Sequence, residues 1–138
     1  MEVLITNGIA KALNMEFGNK YTVYAEKVRQ GIQKPCFFIE RESVCEIPFP
    51  MKRYFRENIF SVTYYPEGED EKRDCVRTAE RLFQCLEYIY AGSDLTRGSK
   101  MSCQIEDGVL KFTLHYDMFV YKPTEPIPKM EELHYIRR

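Results

Sequence analysis

The reactive side chains of this sequence are few: two histidines and five cysteines in 138 residues. His115 and Asp117 form its one His-x-Asp pair. On a strand, residues i and i+2 face the same way, so the two could share a metal ion. A third ligand would come from the partner strand, where Cys103 is the candidate. The competing reading is two polar residues on the wetter face of a sheet. The sequence favours this second reading and predicts neither a metal nor a cofactor.

The other nucleophiles are weaker. Cys75 or Cys85 could serve as an activated thiol beside a histidine, but both fall inside a long helical pattern, where core packing accounts for them. His134 lies in a Pro-rich terminus that would hold catalytic geometry poorly. Cys36, Cys45, Cys75, Cys85 and Cys103 are odd in number and none is spaced as Cys-x-x-Cys, so free thiols used as small core residues are expected. No phosphate-binding glycine loop and no Gly-x-Ser-x-Gly elbow occurs. The chain is not expected to be an enzyme. A small metal-dependent hydrolase using His115 and Asp117 is the alternative in that class.

The most informative cluster is Met51-Lys52-Arg53-Tyr54-Phe55-Arg56, where three basic residues interleave with two aromatics before a strand. Two readings stay open. It is a contact loop for an acidic partner surface or nucleic acid, or a solvated strand entry whose Tyr54 and Phe55 enter the core. The whole chain carries 20 basic and 21 acidic residues, a net charge of −1. That balance argues against specific nucleic-acid binding, which draws on a basic excess. No apolar run approaches the ~20 residues needed to span a bilayer, and no leader peptide is recognisable, so a cytosolic protein is expected.

The elements that must position these residues follow from periodicity. At 44% hydrophobic and 14% aromatic, the chain is globular, and 138 residues fit one domain. Residues 2–17 predict a helix with Ile5, Ile9, Ala12, Leu13 and Phe17 on one face. Gly8 counts against that helix by about 1 kcal/mol. Short strands follow at Tyr21–Tyr24 and Cys36–Glu40. Residues 41–50 are ambiguous, with Pro48 and Pro50 excluding a central strand. A long strand covers about residues 54–65. A helix is expected from Asp70 to Tyr90, with Cys75, Ala79, Leu82, Phe83, Leu86 and Tyr90 as its buried stripe. A hairpin through Asp107-Gly108 joins a strand at 99–106 to one long strand, Val109–Tyr121. The sum is an α+β domain at 1–122, a mostly antiparallel sheet with two helices packed on one face. A Pro-rich extended arm follows at 123–138. Its Met130, Leu133, Tyr135 and Ile136 are unneeded in a solvated tail, so the arm is expected to dock on its own domain or a neighbour.

Several segments resemble the tail-terminator (tail-completion) family of clostridial and bacillar phages, prophages and phage-tail-like bacteriocins. They include Asn7-Gly8-Ile9, Glu16-Phe17-Gly18, Pro35-Cys36-Phe37-Phe38-Ile39 and Lys52-Arg53-Tyr54-Phe55-Arg56-Glu57-Asn58. Further along are Ala79-Glu80-Arg81-Leu82-Phe83, Arg97-Gly98-Ser99-Lys100-Met101, Tyr116-Asp117-Met118-Phe119-Val120-Tyr121 and Met130-Glu131-Glu132-Leu133. The resemblance implies a structural subunit that joins five copies of itself in a six-fold ring, or collar, on the head-proximal end of the tail tube and stops its polymerisation. It implies the tail tube protein as partner, with sheath and neck or connector proteins beyond it, and assembly in the bacterial host cytoplasm. DNA would cross the ring lumen in a complete phage without being bound specifically. On this reading Lys52, Arg53, Tyr54 and Arg56 contact the tube or a neighbour. Met130, Leu133, Tyr135 and Ile136 anchor the arm between subunits. A head–tail connector and a generic cytosolic binding module remain the other readings.

Overall fold

The computed structural model describes residues 2–25 and 30–122. Helix α1, Glu2–Phe17, forms where the sequence predicts it, burying Ile5, Ile9, Leu13 and Phe17. It stops at Gly18, whose φ of +81° suits a residue without a Cβ and whose N–H returns to the Asn14 carbonyl at 3.0 Å. The burial of Gly8 explains its presence in mid-helix. A Cβ there would stand 2.4 Å from the Tyr90 carbonyl oxygen, so glycine is what lets α1 lie this close to the strand carrying Tyr90.

The main sheet runs β1 (Thr22–Tyr24), β2 (Cys36–Phe49), β3 (Arg53–Tyr65), β7 (Val109–His115), β6 (Ser99–Glu106), with β8 (Met118–Tyr121) beside β3. Only the β1–β2 pair is parallel. Helix α1 rests on β1, β2 and a small hairpin, β4 (Tyr88–Ala91) with β5 (Asp94–Arg97). Helix α2, Glu71–Cys85, rests on β6 and β7. Alternate residues of the central strands, Phe37, Ile39, Phe60, Val62, Leu110 and Phe112, meet the helices in one core. This is the expected α+β arrangement. Among the described residues, no helix is long and apolar enough to cross a membrane.

Three elements differ from expectation. Helix α2 ends at Cys85 and not at Tyr90. The chain turns out because the Leu86 carbonyl accepts the Tyr116 hydroxyl at 2.7 Å and the Glu87 carbonyl accepts the Gly98 N–H at 2.6 Å. The β4–β5 hairpin that follows takes up Tyr88–Tyr90, which the helical spacing includes in α2. Its Tyr90 is 59% exposed and Ile89 takes the core position instead, while Leu86 is buried as expected. Phe83 is also more exposed than its place on the expected stripe implies, although its ring meets Phe112 at 4.9 Å.

Residues 41–49, ambiguous in sequence, continue β2 past a bulge between Arg41 and Ser43. Pro48 is tolerated because, among the described residues, β2 has a second neighbour, β1, only at Cys36–Phe38, so its missing N–H faces no partner strand there. The single strand expected from Val109 to Tyr121 is interrupted at Tyr116-Asp117. Register is nonetheless kept, with Ile59 opposite His115 and Arg56 opposite Met118. Buried Asn58 spans the interruption: its Nδ2 donates to the Tyr116 carbonyl at 2.9 Å, while its own carbonyl accepts the Tyr116 N–H at 2.9 Å.

Candidate functional site

Beyond Asn58 and Tyr116 the core ends. No described residue of β2 from Arg41 on, of β3 before Asn58, or of β8 is buried, yet the three strands continue together. With 13 residues, β3 is about 44 Å long, whereas the 15-residue α2 covers about 22 Å. A three-stranded arm therefore projects from the two-layer body, and the basic-aromatic cluster forms its tip.

The turn from β2 to β3 places Met51 at φ +67° and Lys52 at φ +58°, the left-handed conformation that matches a tight hairpin to strand twist. Strand alternation then divides the cluster between two faces. On the face away from the helices lie Arg53 and Phe55. The Arg53 guanidinium stands over Phe119 at 5.3 Å and Phe49 at 6.0 Å, and its Nε donates to the Pro50 carbonyl at 3.3 Å. Phe119 meets Phe49 and Phe55 edge-on. Phe49, Phe119, Ile47 and Tyr121 are all exposed, giving the arm an apolar surface with one guanidinium laid across it.

On the opposite face lie Tyr54 and Arg56. The Arg56 guanidinium grips the Glu46 carboxylate through Nε, at 2.7 Å, and a terminal nitrogen. Lys122 reaches the other Glu46 oxygen at 2.7 Å, and its ammonium lies 4.1 Å from the Tyr54 ring centre. Lys122 and Arg56 together hold the Glu46 carboxyl below the usual carboxylate range. Arg56 thus neutralises a carboxylate within the arm. Lys52 sits in the tip turn, its carbonyl accepting the Lys122 N–H at 3.3 Å. Sequence reasoning identified the cluster but missed Ile47, Phe49, Phe119 and Tyr121. No alternation marks them on β8, where Met118-Phe119-Val120-Tyr121 are all apolar, and only the pairing with β3 shows which of them face away from the helices. The expected anchors Met130, Leu133, Tyr135 and Ile136 lie outside the described residues.

A second apolar surface lies between α1 and β4. It is a cleft of about 510 Å³ lined by Gly8, Ala12, Met15, Cys85, Tyr88 and Tyr90. Met15, Tyr88 and Tyr90 are exposed at its rim.

Of the residues a catalytic reading would have drawn on, the fold keeps His115 and Asp117 together and sets Cys103 apart. Cys103 pairs with Phe112 in the ladder and packs against the helix-side core. His115 lies on the opposite face, so the proposed Cys103 ligand is excluded. Cys75 and Cys85, the two thiols considered as nucleophiles, are poor ones. Burial pushes Cys85 up to about 12, with Glu16 adding to it, and burial followed by Asp74 raises Cys75. What the fold does bring beside His115 and Asp117 is Glu57, opposite them on β3.

A small α+β body with a projecting apolar arm and a separate apolar cleft is built to associate. The sequence profile of the phage tail terminator protein family matches residues 4–128, and the chain belongs to that family. It is a component of the phage tail, in a family that is structural. No curated protein sequence matches it.

Proposed function

We propose that this subunit forms a six-fold ring on the head-proximal end of a tail tube and stops the tube from growing. The observation that supports the reading, beyond family membership, is the presence of two unlike apolar surfaces on one chain. A closed ring needs heterologous contacts, in which one patch meets a different patch of the next copy. The arm, with Phe49, Phe119 and Tyr121 exposed, is convex, and the cleft rimmed by Met15, Tyr88 and Tyr90 is concave. Each contact would bury on the order of 1,600 Å².

Within the arm, Arg53 and Lys52 contact a neighbouring copy or the tube protein, and Tyr54 and Arg56 support them through Glu46 and Lys122. Residues 124–138 reach the adjacent subunit through Met130, Leu133, Tyr135 and Ile136. Assembly takes place in the host cytoplasm, and sheath or neck proteins meet the finished ring. The same subunit would form the collar of a headless, bacteriocin-type particle.

The test is tail-tube length by electron microscopy in a producing strain lacking this chain. Overlong or ragged tubes without an end ring are expected. Normal tubes that keep an end ring would overturn the reading and direct attention to a head–tail connector role. Complementation with a Phe119→Glu, Arg53→Glu double variant then tests the arm, since full restoration of tube length would remove it from the contact. Complementation by a chain ending at residue 123 tests the terminal segment in the same way.

A further inference from the structure

Glu57, His115 and Asp117 meet where β7 gives way to β8, at the root of the arm. One ligand atom from each lies within 4.8 Å of the others. His115 Nδ1 and Asp117 Oδ1 are 3.4 Å apart, and both are buried without a hydrogen-bond partner. The Asp117 side chain is only 10% exposed and that of His115 16%. A carboxylate oxygen and an imidazole nitrogen left unpartnered in such a place are costly. They call for something that binds both at once.

We propose that these three residues bind one divalent transition-metal ion of the zinc class, which ties β3 to the β7–β8 link. Two carboxylates balance the charge of a divalent cation and a neutral imidazole completes a mixed N,O set, which suits zinc-class ions and not magnesium. In a tetrahedral site with bonds of about 2.0–2.1 Å, neighbouring ligand atoms stand about 3.3 Å apart. The His115–Asp117 pair already has that spacing, and Glu57 stands within 4.8 Å of both. Its competing partner is the exposed Lys100 ammonium, 3.6 Å from Glu57 Oε2. Three protein ligands leave a fourth position for water. The proposal is independent of the ring reading, because it concerns only the joint between body and arm.

The position gives the ion a mechanical role. Asn58 already bridges the interrupted ladder from the helix side, and the metal would bridge it from the other. The test is zinc titration of the purified full-length chain by calorimetry, in a Cys45→Ser background that removes the exposed thiol, with metal content measured after dialysis. One zinc per chain is expected, with no comparable binding of Mg2+. Asp117→Asn or His115→Gln should weaken binding by roughly 100-fold or more, since each removes a direct ligand. Lys100→Asn should tighten it by freeing Glu57, and Asn tolerates the positive φ of +50° at that position. Zinc should also slow amide exchange selectively in residues 53–58 and 115–121.

Absence of zinc binding would overturn the proposal, leaving a bound water as what satisfies the pair. Zinc binding unchanged by Asp117→Asn and Glu57→Gln would also overturn it, assigning the metal to thiols. If His115→Gln fails to fold, Glu57→Gln and Lys100→Asn decide the question with opposite expected signs.

Discussion

Replacing Gly8 with alanine sets two effects of opposite sign against each other. In an exposed helix, Gly→Ala stabilises by about 1 kcal/mol, because glycine loses more backbone freedom on folding. Here the new methyl would fall 2.4 Å from the Tyr90 carbonyl oxygen, 3.1 Å from its carbon and 3.2 Å from Ile89 Cδ1. Two of the three obstacles are backbone atoms of β4, which cannot rotate aside as a side chain can. Relief requires α1 and β4 to separate by about 1 Å, loosening the packing of Ile5, Ile9 and Ile89. Overpacking of this kind costs about 1–3 kcal/mol, and a backbone obstacle puts the case at the upper end. The steric loss therefore exceeds the propensity gain, for a net destabilisation of about 2 kcal/mol. For a domain of this size that lowers Tm by about 6–8 °C.

Thermal and urea unfolding followed by far-UV circular dichroism would measure the change. Gly18→Ala is the control, because nothing lies within 4 Å of its added Cβ and only its positive φ opposes the change, at about 1 kcal/mol. A Gly8→Ala protein as stable as the parent, or more so, would refute the close approach of α1 to β4.

Asn58→Ala removes the side-chain bond to the Tyr116 carbonyl and leaves that acceptor unpaired at the arm root. A loss of about 2–3 kcal/mol is expected, with faster amide exchange in residues 118–121 as the local readout. The arm should also loosen in acid. Glu46 is held below its ordinary range by Lys122 and Arg56, and Glu42 by hydrogen bonds from Ser61 and Lys111. A lowered folded-state pKa contributes stability that is complete above the unfolded carboxylate value, about 4.3. It is lost as pH falls through the folded value. Stability measured from pH 6 to pH 3 should therefore fall less steeply in a Glu46→Gln, Glu42→Gln double variant than in the parent.

Local pattern carried much of the architecture. The apolar stripe of α1, the alternation of β3 and β7 and the Asp107-Gly108 turn each state their element without tertiary help. The errors arose where two elements share one pattern. Leu82, Leu86 and Ile89 keep nearly helical spacing across the end of α2, and what ends the helix is the capture of the Leu86 carbonyl by Tyr116, thirty residues away. Pro48 argued against a strand only if the strand had two neighbours.

The candidate site was legible as a segment but not as a geometry. The pairing of Arg56 with Glu46 depends on the register of β2 after its bulge, which no local motif announces. Glu57 could not be joined to His115 and Asp117 without the β3–β7 alignment. The sequence suggested Cys103 because its strand adjoins β7, and it turned out to lie on the wrong face.

The side of β2 that no described strand covers past Phe38 has a consequence for how copies can combine. Strand-to-strand addition along a free sheet edge has no natural end point, since each added strand offers the next edge. Along β2 that route is obstructed twice, by the bulge between Arg41 and Ser43 and by a proline that offers no N–H at position 48. Along this edge, association is thereby left to shaped side-chain surfaces, whose contacts saturate once each surface is filled. Under the proposed capping role, a subunit that ends one polymer would thereby deny its own copies the simplest way of starting another.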